Sequence, residues 1–218
     1  MSIAKRLRRF MKRHGLRPPT FLLNDNGRRV RRLAATVGPG DVVIDLGAHV
    51  GEVAAEFARR GAVVHAFEAH PGIFAELRKR SAGYPNIHVY NEAVSDTAGP
   101  VTLYFRDSVR KNAFYQGSTL AEGKSDLDYS HAVEVPGRPL SEIVAGIGGP
   151  VRLLKMDIEG MEYRVLAELI DSGLAPQVGE AFVECHVGKV EGLETQKAEV
   201  IARLQAAGLA ERYHFDWH

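Results

Sequence analysis

Acidic side chains recur where short apolar runs of this chain end. Asp45 closes Val42-Val43-Ile44, and Glu68 follows the run that ends at Phe67. Asp157 and Glu159 follow Val151 to Met156, while Glu184 and His186 follow Ala181 to Val183. Carboxylates and an imidazole can accept a proton, hold a hydroxyl group or bind a divalent cation. These residues lie between positions 45 and 186, so only the fold can bring them together.

The first acid opens a second pattern, Asp45-Leu46-Gly47-Ala48-His49-Val50-Gly51, followed by the helix-like stretch from Glu52 to Arg60. It is neither the G-x-G-x-x-G of dinucleotide enzymes nor a phosphate loop, because no lysine follows Gly51. A pyrophosphate would also be repelled by Asp45. A cofactor with ammonium, carboxylate and sulfonium groups but no phosphate fits better. Asp45 would take its cationic end, directly or through water, and the amides of Gly47, Ala48, His49 and Gly51 would receive its carboxylate at the helix start. Glu68, with Ala69 beside it, would accept hydrogen bonds from both ribose hydroxyls. Glycines alone describe any tight βα connection, and Glu68 one strand later is what separates the two cases. Together these requirements describe S-adenosylmethionine, with S-adenosylhomocysteine as its product.

The elements that must position these groups read as an α/β alternation. Strands are expected at Val42–Asp45, Ala62–Phe67, Ile87–Asn91, Val151–Met156 and Ala181–Glu184, with a last one at Ala210–Phe215. Helices are expected over Glu52–Arg60, Pro71–Ser81, Met161–Ser172 and Glu194–Ala207, with a short one near Leu140–Val144. After strand three the rhythm breaks into two strands, Val101–Phe105 and His131–Val135, flanking a polar stretch too long for an ordinary connection. Tyr115, Tyr129 and His131 of that region would suit a substrate lid. Short apolar strands alternating with helices imply a mostly parallel sheet covered on both faces, with the ligand at the carboxyl ends of the strands. That rule gathers Asp45 to Gly51, Glu68, Asn91-Glu92-Ala93, Asp157 to Glu159 and Glu184 to His186 into one place, with the Asn91–Ala93 region near the adenine.

Length and composition bound the rest. The 218 residues, 45% hydrophobic and 25% charged, suit a soluble globular domain. No apolar run approaches the roughly 20 residues of a membrane span, and the N-terminus lacks the apolar region of an export signal. One cysteine, Cys185, excludes an intrachain disulfide and a cysteine zinc cluster, so a cytoplasmic setting is expected. The net charge of +1 conceals an asymmetry. Residues 1–32 hold eleven Lys or Arg against one acid, and the remainder seventeen against twenty-six. Residues 1–38 are therefore read as a basic helical extension, and 39–218 as the cofactor-binding domain. Within residues 1–17, Ile3, Leu7, Phe10 and Met11 share one helical face. That stripe would pack on the domain or on a second subunit of a homo-oligomer. Alternatively, the arm would hold the protein at the periphery of a membrane or on an acidic partner. Nucleic acid is the least suited partner, since no aromatics interleave the charges.

The segments VVIDLGAHVGEVAAEFA, VHAFEAHPGIFAELRK, NEAVSD, LLKMDIEGMEYRVLAEL and FVECH resemble, in order, those of FkbM-type S-adenosylmethionine-dependent methyltransferases. The resemblance covers about residues 41 to 186. It implies the class I methyltransferase fold, Rossmann-like, and O-methylation of hydroxyl groups on natural products or sugars. Asp157, Glu159, Glu184 and His186 then become the candidates for removing the acceptor's proton. A divalent metal is the less favoured arrangement, with Asp157, Glu184 and His186 as its ligands. Two features depart from the family. His49 stands where asparagine is usual. The family also typically continues into one more antiparallel strand, so either the sequence stops short of it or the sheet edge is made differently.

Overall fold

The computed structural model describes residues 6–7, 10–11, 25–106, 127–187 and 192–217. The alternation begins with α1 (Asp25–Ala34), β1 (Val42–Leu46), α2 (Glu52–Ala58), β2 (Val63–Phe67), α3 (Pro71–Ser81) and β3 (Ile87–Tyr90). Three strands then interrupt it: β4 (Ala93–Ser95), β5 (Gly99–Arg106) and β6 (Leu127–Pro139). It resumes through α4 (Leu140–Ile147), β7 (Val151–Met156), α5 (Glu162–Asp171), β8 (Val178–Glu184), α6 (Leu193–Ala206) and β9 (Tyr213–Trp217). The main sheet has the order β3-β2-β1-β7-β8-β9, and every pairing in it is parallel. A smaller sheet, β4-β6-β5, sits beside it. The α/β reading therefore stands, with helices on both faces.

A strand's period of two divides the core. Val43, Val64, Ala66 and Leu153 face one way, against Val30 and Leu33 of α1, Phe57 of α2 and Leu77 of α3. Ile44, Leu46, Leu154, Met156 and Val183 face the other way, against Leu140 of α4, Tyr163 and Leu166 of α5, and Val200 of α6. Val30, Leu33, Ala34 and Val37, from the segment read as an extension, belong to the first of these cores. Pro71 opens α3 as expected. His70 caps that helix, its Nδ1 accepting from the amides of Gly72 and Ile73.

The differences from the expected elements have local causes. β4 is too short to show a pattern, and its three residues are held by parallel pairing with Gly137 to Pro139 of β6. β6 extends beyond His131–Val135 at both ends because β5 accompanies it antiparallel, with an irregularity after Tyr104. The last strand starts at Tyr213, after a 3-10 turn over Ala210–Arg212. It pairs parallel with β8 at the sheet edge. Tyr115 lies outside the described residues, as do the side chains of Tyr129 and His131 and most of the arm. Residues 6–7 and 10–11 are helical, with Leu7 and Phe10 exposed. Among the described residues, no helix is long and apolar enough to cross a membrane.

Leu154 is wholly buried in the middle of β7. Leu154→Ala should lower the unfolding free energy by about 3 kcal/mol. The change is read as a shifted urea midpoint at unchanged slope, and Leu7→Ala serves as a control expected to shift it little.

Candidate functional site

The parallel register sets Asp45 of β1 directly beside Lys155 of β7. Both are buried, Asp45 completely and Lys155 with 3% of its surface exposed. The Lys155 ammonium lies 3.2 Å from Asp45 Oδ1 and donates to the carbonyls of Leu46 at 3.1 Å and Gly47 at 2.9 Å. Asp157 Oδ2 stands 4.0 Å away. Burial alone would depress the Lys155 pKa, but the carboxylates of Asp45 and Asp157 overcome it and hold it above the ordinary value. Burial pushes Asp45 upward against the pull of Lys155. Asp45 thus supports the glycine turn from below, through Lys155, and presents no exposed surface to a ligand.

The turn after β1 rests on the turn after β7, backbone on backbone. Asp157 donates its amide to Leu46 O at 3.1 Å. Gly47 has φ 70°, and a Cβ there would come within 1.9 Å of Asp157 O. Three turn amides are already engaged: Ala48 with Phe67 O, Gly51 with Ala48 O, and His49 with Glu68 Oε2 at 2.9 Å. His49 itself is left-handed, at φ 52°. Glu68 receives a second amide, that of His70, on Oε1 at 2.8 Å. Burial pushes the Glu68 carboxyl up to about 7, even though both amides pull the other way. Asn91 donates to the carbonyls of Glu68 and Ala69 and so braces that stretch of backbone. Glu92 pairs with Arg138, whose guanidinium lies over the Tyr90 ring, and Ala93 is buried at the start of β4.

The second half of the site is organised by Glu162, the first residue of α5. It is fully buried, and its carboxylate accepts from the amides of Ile158 at 3.1 Å and Gly160 at 3.0 Å. The same carboxylate contacts His186 Nδ1 at 2.8 Å. An ionised carboxylate only accepts, so Nδ1 is the donor and Nε2 points the other way. On that side lie Glu159 Oε2 at 3.5 Å, Asp157 Oδ1 at 3.8 Å and Glu184 Oε1 at 3.8 Å. Glu159 reaches this position from a left-handed backbone, φ 57°. His186 is 1% exposed, whereas Asp157 and Glu184 keep a quarter of their side-chain surface open. The structure therefore brings Asp157, Glu159, Glu184 and His186 into one cluster, next to the turn that carries Gly47 and His49. Sequence reasoning missed Lys155 and the part played by Glu162. A lysine inside an otherwise apolar strand end, at the same height as Asp45, was the available signal for the first.

The chain is similar to several known proteins. A family model described as Methyltransferase FkbM domain matches residues 45–209. The 31-O-demethyl-FK506 methyltransferase FkbM of Streptomyces tacrolimicus is 31% identical over 204 residues, covering 78% of this chain and 73% of that protein. Ribosomal RNA small subunit methyltransferase A of Moorella thermoacetica is 37% identical over 73 residues, covering 34% of this chain and 25% of that protein. Among solved structures, a TehB-like SAM-dependent methyltransferase from Corynebacterium glutamicum superposes with a TM-score of 0.44 at 13% identity. That superposition covers 92% of this chain and 79% of that one.

Lys155→Met would leave the Asp45 carboxylate buried without its cation, a loss of about 3–5 kcal/mol in unfolding free energy. Adding Asp45→Asn should recover most of that loss in the same denaturation experiment. Equal stability of the single and double variants would contradict the pairing.

Proposed function

The chain belongs to the FkbM methyltransferase family, and on that footing we propose that it methylates a hydroxyl oxygen of a small molecule or sugar. S-adenosylmethionine is the cofactor, and it supplies an electrophilic methyl group carried on a sulfonium. The residues present fit it. Glu68 is a buried carboxylate with one amide on each oxygen and further acceptor capacity on both, which suits a pair of vicinal hydroxyls. The Gly47–Gly51 turn would approach the rest of the cofactor, and Asn91 would keep the backbone at Glu68 and Ala69 in place for the nucleoside.

The observation that carries the reading is the backbone contact between Gly47 and Asp157. It sets the cluster of Asp157, Glu159, Glu184 and His186 directly beside the cofactor turn. Asp157 and Glu184, whose side chains are a quarter exposed, would position the acceptor hydroxyl and take its proton, with His186 behind them held by Glu162. The oxygen specificity rests on the Streptomyces relative, whose name describes methylation at an oxygen. An RNA acceptor is disfavoured, because the carboxylates would repel its phosphates.

The test is formation of S-adenosylhomocysteine with a panel of hydroxylated acceptors. Asp157→Asn and His186→Gln should each lower kcat by about 100-fold, with the cofactor's dissociation constant nearly unchanged. Cofactor binding with no turnover on any acceptor would instead favour a cofactor-binding subunit of a biosynthetic assembly.

Glu68 also gives a pH dependence. Its ionised form is the better acceptor for hydroxyls, and its pKa in the free protein is about 7. Affinity for S-adenosylhomocysteine should therefore be full above pH 8 and fall as pH drops through about 7. Calorimetry across that range on wild type and Glu68→Gln checks it: the variant should bind more weakly and show a flat profile.

A further inference from the structure

We propose that this protein docks on an anionic membrane surface by the edge of the sheet where β1, β2 and β3 begin. The exposed apolar side chains of the N-terminal arm enter the lipid interface beside it.

Cations gather on this edge because the strands are parallel. α1, α2 and α3 each run directly into the strand that follows, and β1, β2 and β3 all point the same way. The C-terminal ends of the three helices therefore share the edge opposite the candidate site. The turns between them touch. A Cβ on Gly61, before β2, would lie 2.9 Å from Pro39 Cγ, before β1. Asn86, before β3, donates to the carbonyls of Ala58 and Ala62 at 2.9 and 2.8 Å. The Arg59 guanidinium lies 5.4 Å from the centre of the Tyr84 ring. Along this edge Arg32, Arg59, Arg60, Arg78, Lys79 and Arg80 are exposed. The nearby acids are engaged. Glu56 pairs with Arg31 and Arg59, Glu76 pairs with Arg80, and Asp41 accepts from the Gly38 amide. Arg32, Arg60, Arg78 and Lys79 form no ion pair among the described residues.

A helix dipole favours cations at any helix's C-terminal end, so it cannot explain a difference between the two faces. The helices on the other face lack the excess. The last turns of α4 and α5 hold no basic residue, and Arg203 in the last turn of α6 pairs with Asp171. A surface of opposite charge complements such an edge. The arm favours lipid over nucleic acid as that surface. Residues 1–24 add seven Lys or Arg and no acid. Leu7 and Phe10, three residues apart on helical backbone, are exposed, as is Arg6 beside them. Apolar side chains next to cations suit the boundary between headgroups and acyl chains. With Phe10 the one aromatic among the cations of residues 5–13, there is no platform for stacked bases. Docked in this way, the candidate site faces away from the lipid. β1 has five residues, so the strand carboxyl ends stand about 15 Å farther from the surface. An acceptor would then reach the site from the aqueous side.

The experiment is co-sedimentation of the full chain with vesicles of phosphatidylcholine alone, or with about one third phosphatidylglycerol. Binding is expected to the anionic vesicles and not to the neutral ones. It should weaken by about tenfold or more as salt rises from about 0.05 to about 0.5 M. Arg60→Ala combined with Lys79→Ala should weaken it by about tenfold or more, and Leu7→Ala combined with Phe10→Ala by about tenfold. Unchanged urea midpoints show that the variants are folded. Failure to bind anionic vesicles at low salt would overturn the proposal. So would vesicle binding that the Arg60 and Lys79 double variant leaves unchanged, since the arm alone would then account for it. Tighter binding to single-stranded RNA than to vesicles, lost in the same double variant, would assign the edge to nucleic acid instead. Self-association abolished by the Leu7 and Phe10 double variant, without vesicle binding, would make the arm a contact between copies and refute docking on lipid.

Discussion

A lysine ammonium placed inside a parallel sheet has to be satisfied where it stands, and the way Lys155 is satisfied shapes this site. Its nearest partners are the carboxylate of Asp45 and the two carbonyls where β1 ends, Leu46 and Gly47, with Asp157 farther off at 4.0 Å. A buried charge without such partners would be prohibitively costly, so the end of β1 is fixed relative to β7. The glycine turn is then pressed against Asp157, so the turns that follow β1 and β7 are held together. Glu162 repeats the device on the other side, where one buried carboxylate collects two turn amides and the imidazole of His186.

Much of this fold was legible, because its signals are local. β7 and α3 fall where the sequence placed them, since an apolar run bounded by a proline-glycine or acid-rich turn leaves little freedom. β4 and the full length of β6 were not legible, because partners many residues away hold them in place. The family resemblance carried by the motifs is borne out by the match over residues 45–209. At the site, the strand-end rule gathered Asp157, Glu159, Glu184 and His186 correctly into one neighbourhood, but it could not say which way a side chain turns. Asp45 was expected to take the cofactor's cationic end, directly or through water; in the structure it is fully buried and paired with Lys155. That fact depends on the register between β1 and β7, which no single segment encodes.

His49 shows how a local departure can be read once the backbone is known. Its φ of 52° lies in the left-handed region, where asparagine is among the best tolerated residues other than glycine. The asparagine usual in the family therefore fits a backbone requirement as well as any contact with the cofactor. Histidine is also among the residues enriched in this conformation. The backbone amide of His49, which holds Glu68, is available whichever side chain is attached.

The division of the core between the two faces of the sheet has a consequence for how such a scaffold can diversify. The turn with Gly47 leads into α2, and the loop after Glu68 leads into α3; both helices pack on one face. The cluster around His186 hangs from α5 and from the end of β8, and α5 packs on the opposite face with α4 and α6. Among the described residues, the two halves of the candidate site meet across the strand ends, through β1 and β7. Helices on the face of α4, α5 and α6 can therefore be lengthened, replaced or re-angled over generations while the opposite face stays as it is. One face of the sheet can in this way keep its glycine turn while the other carries quite different helices.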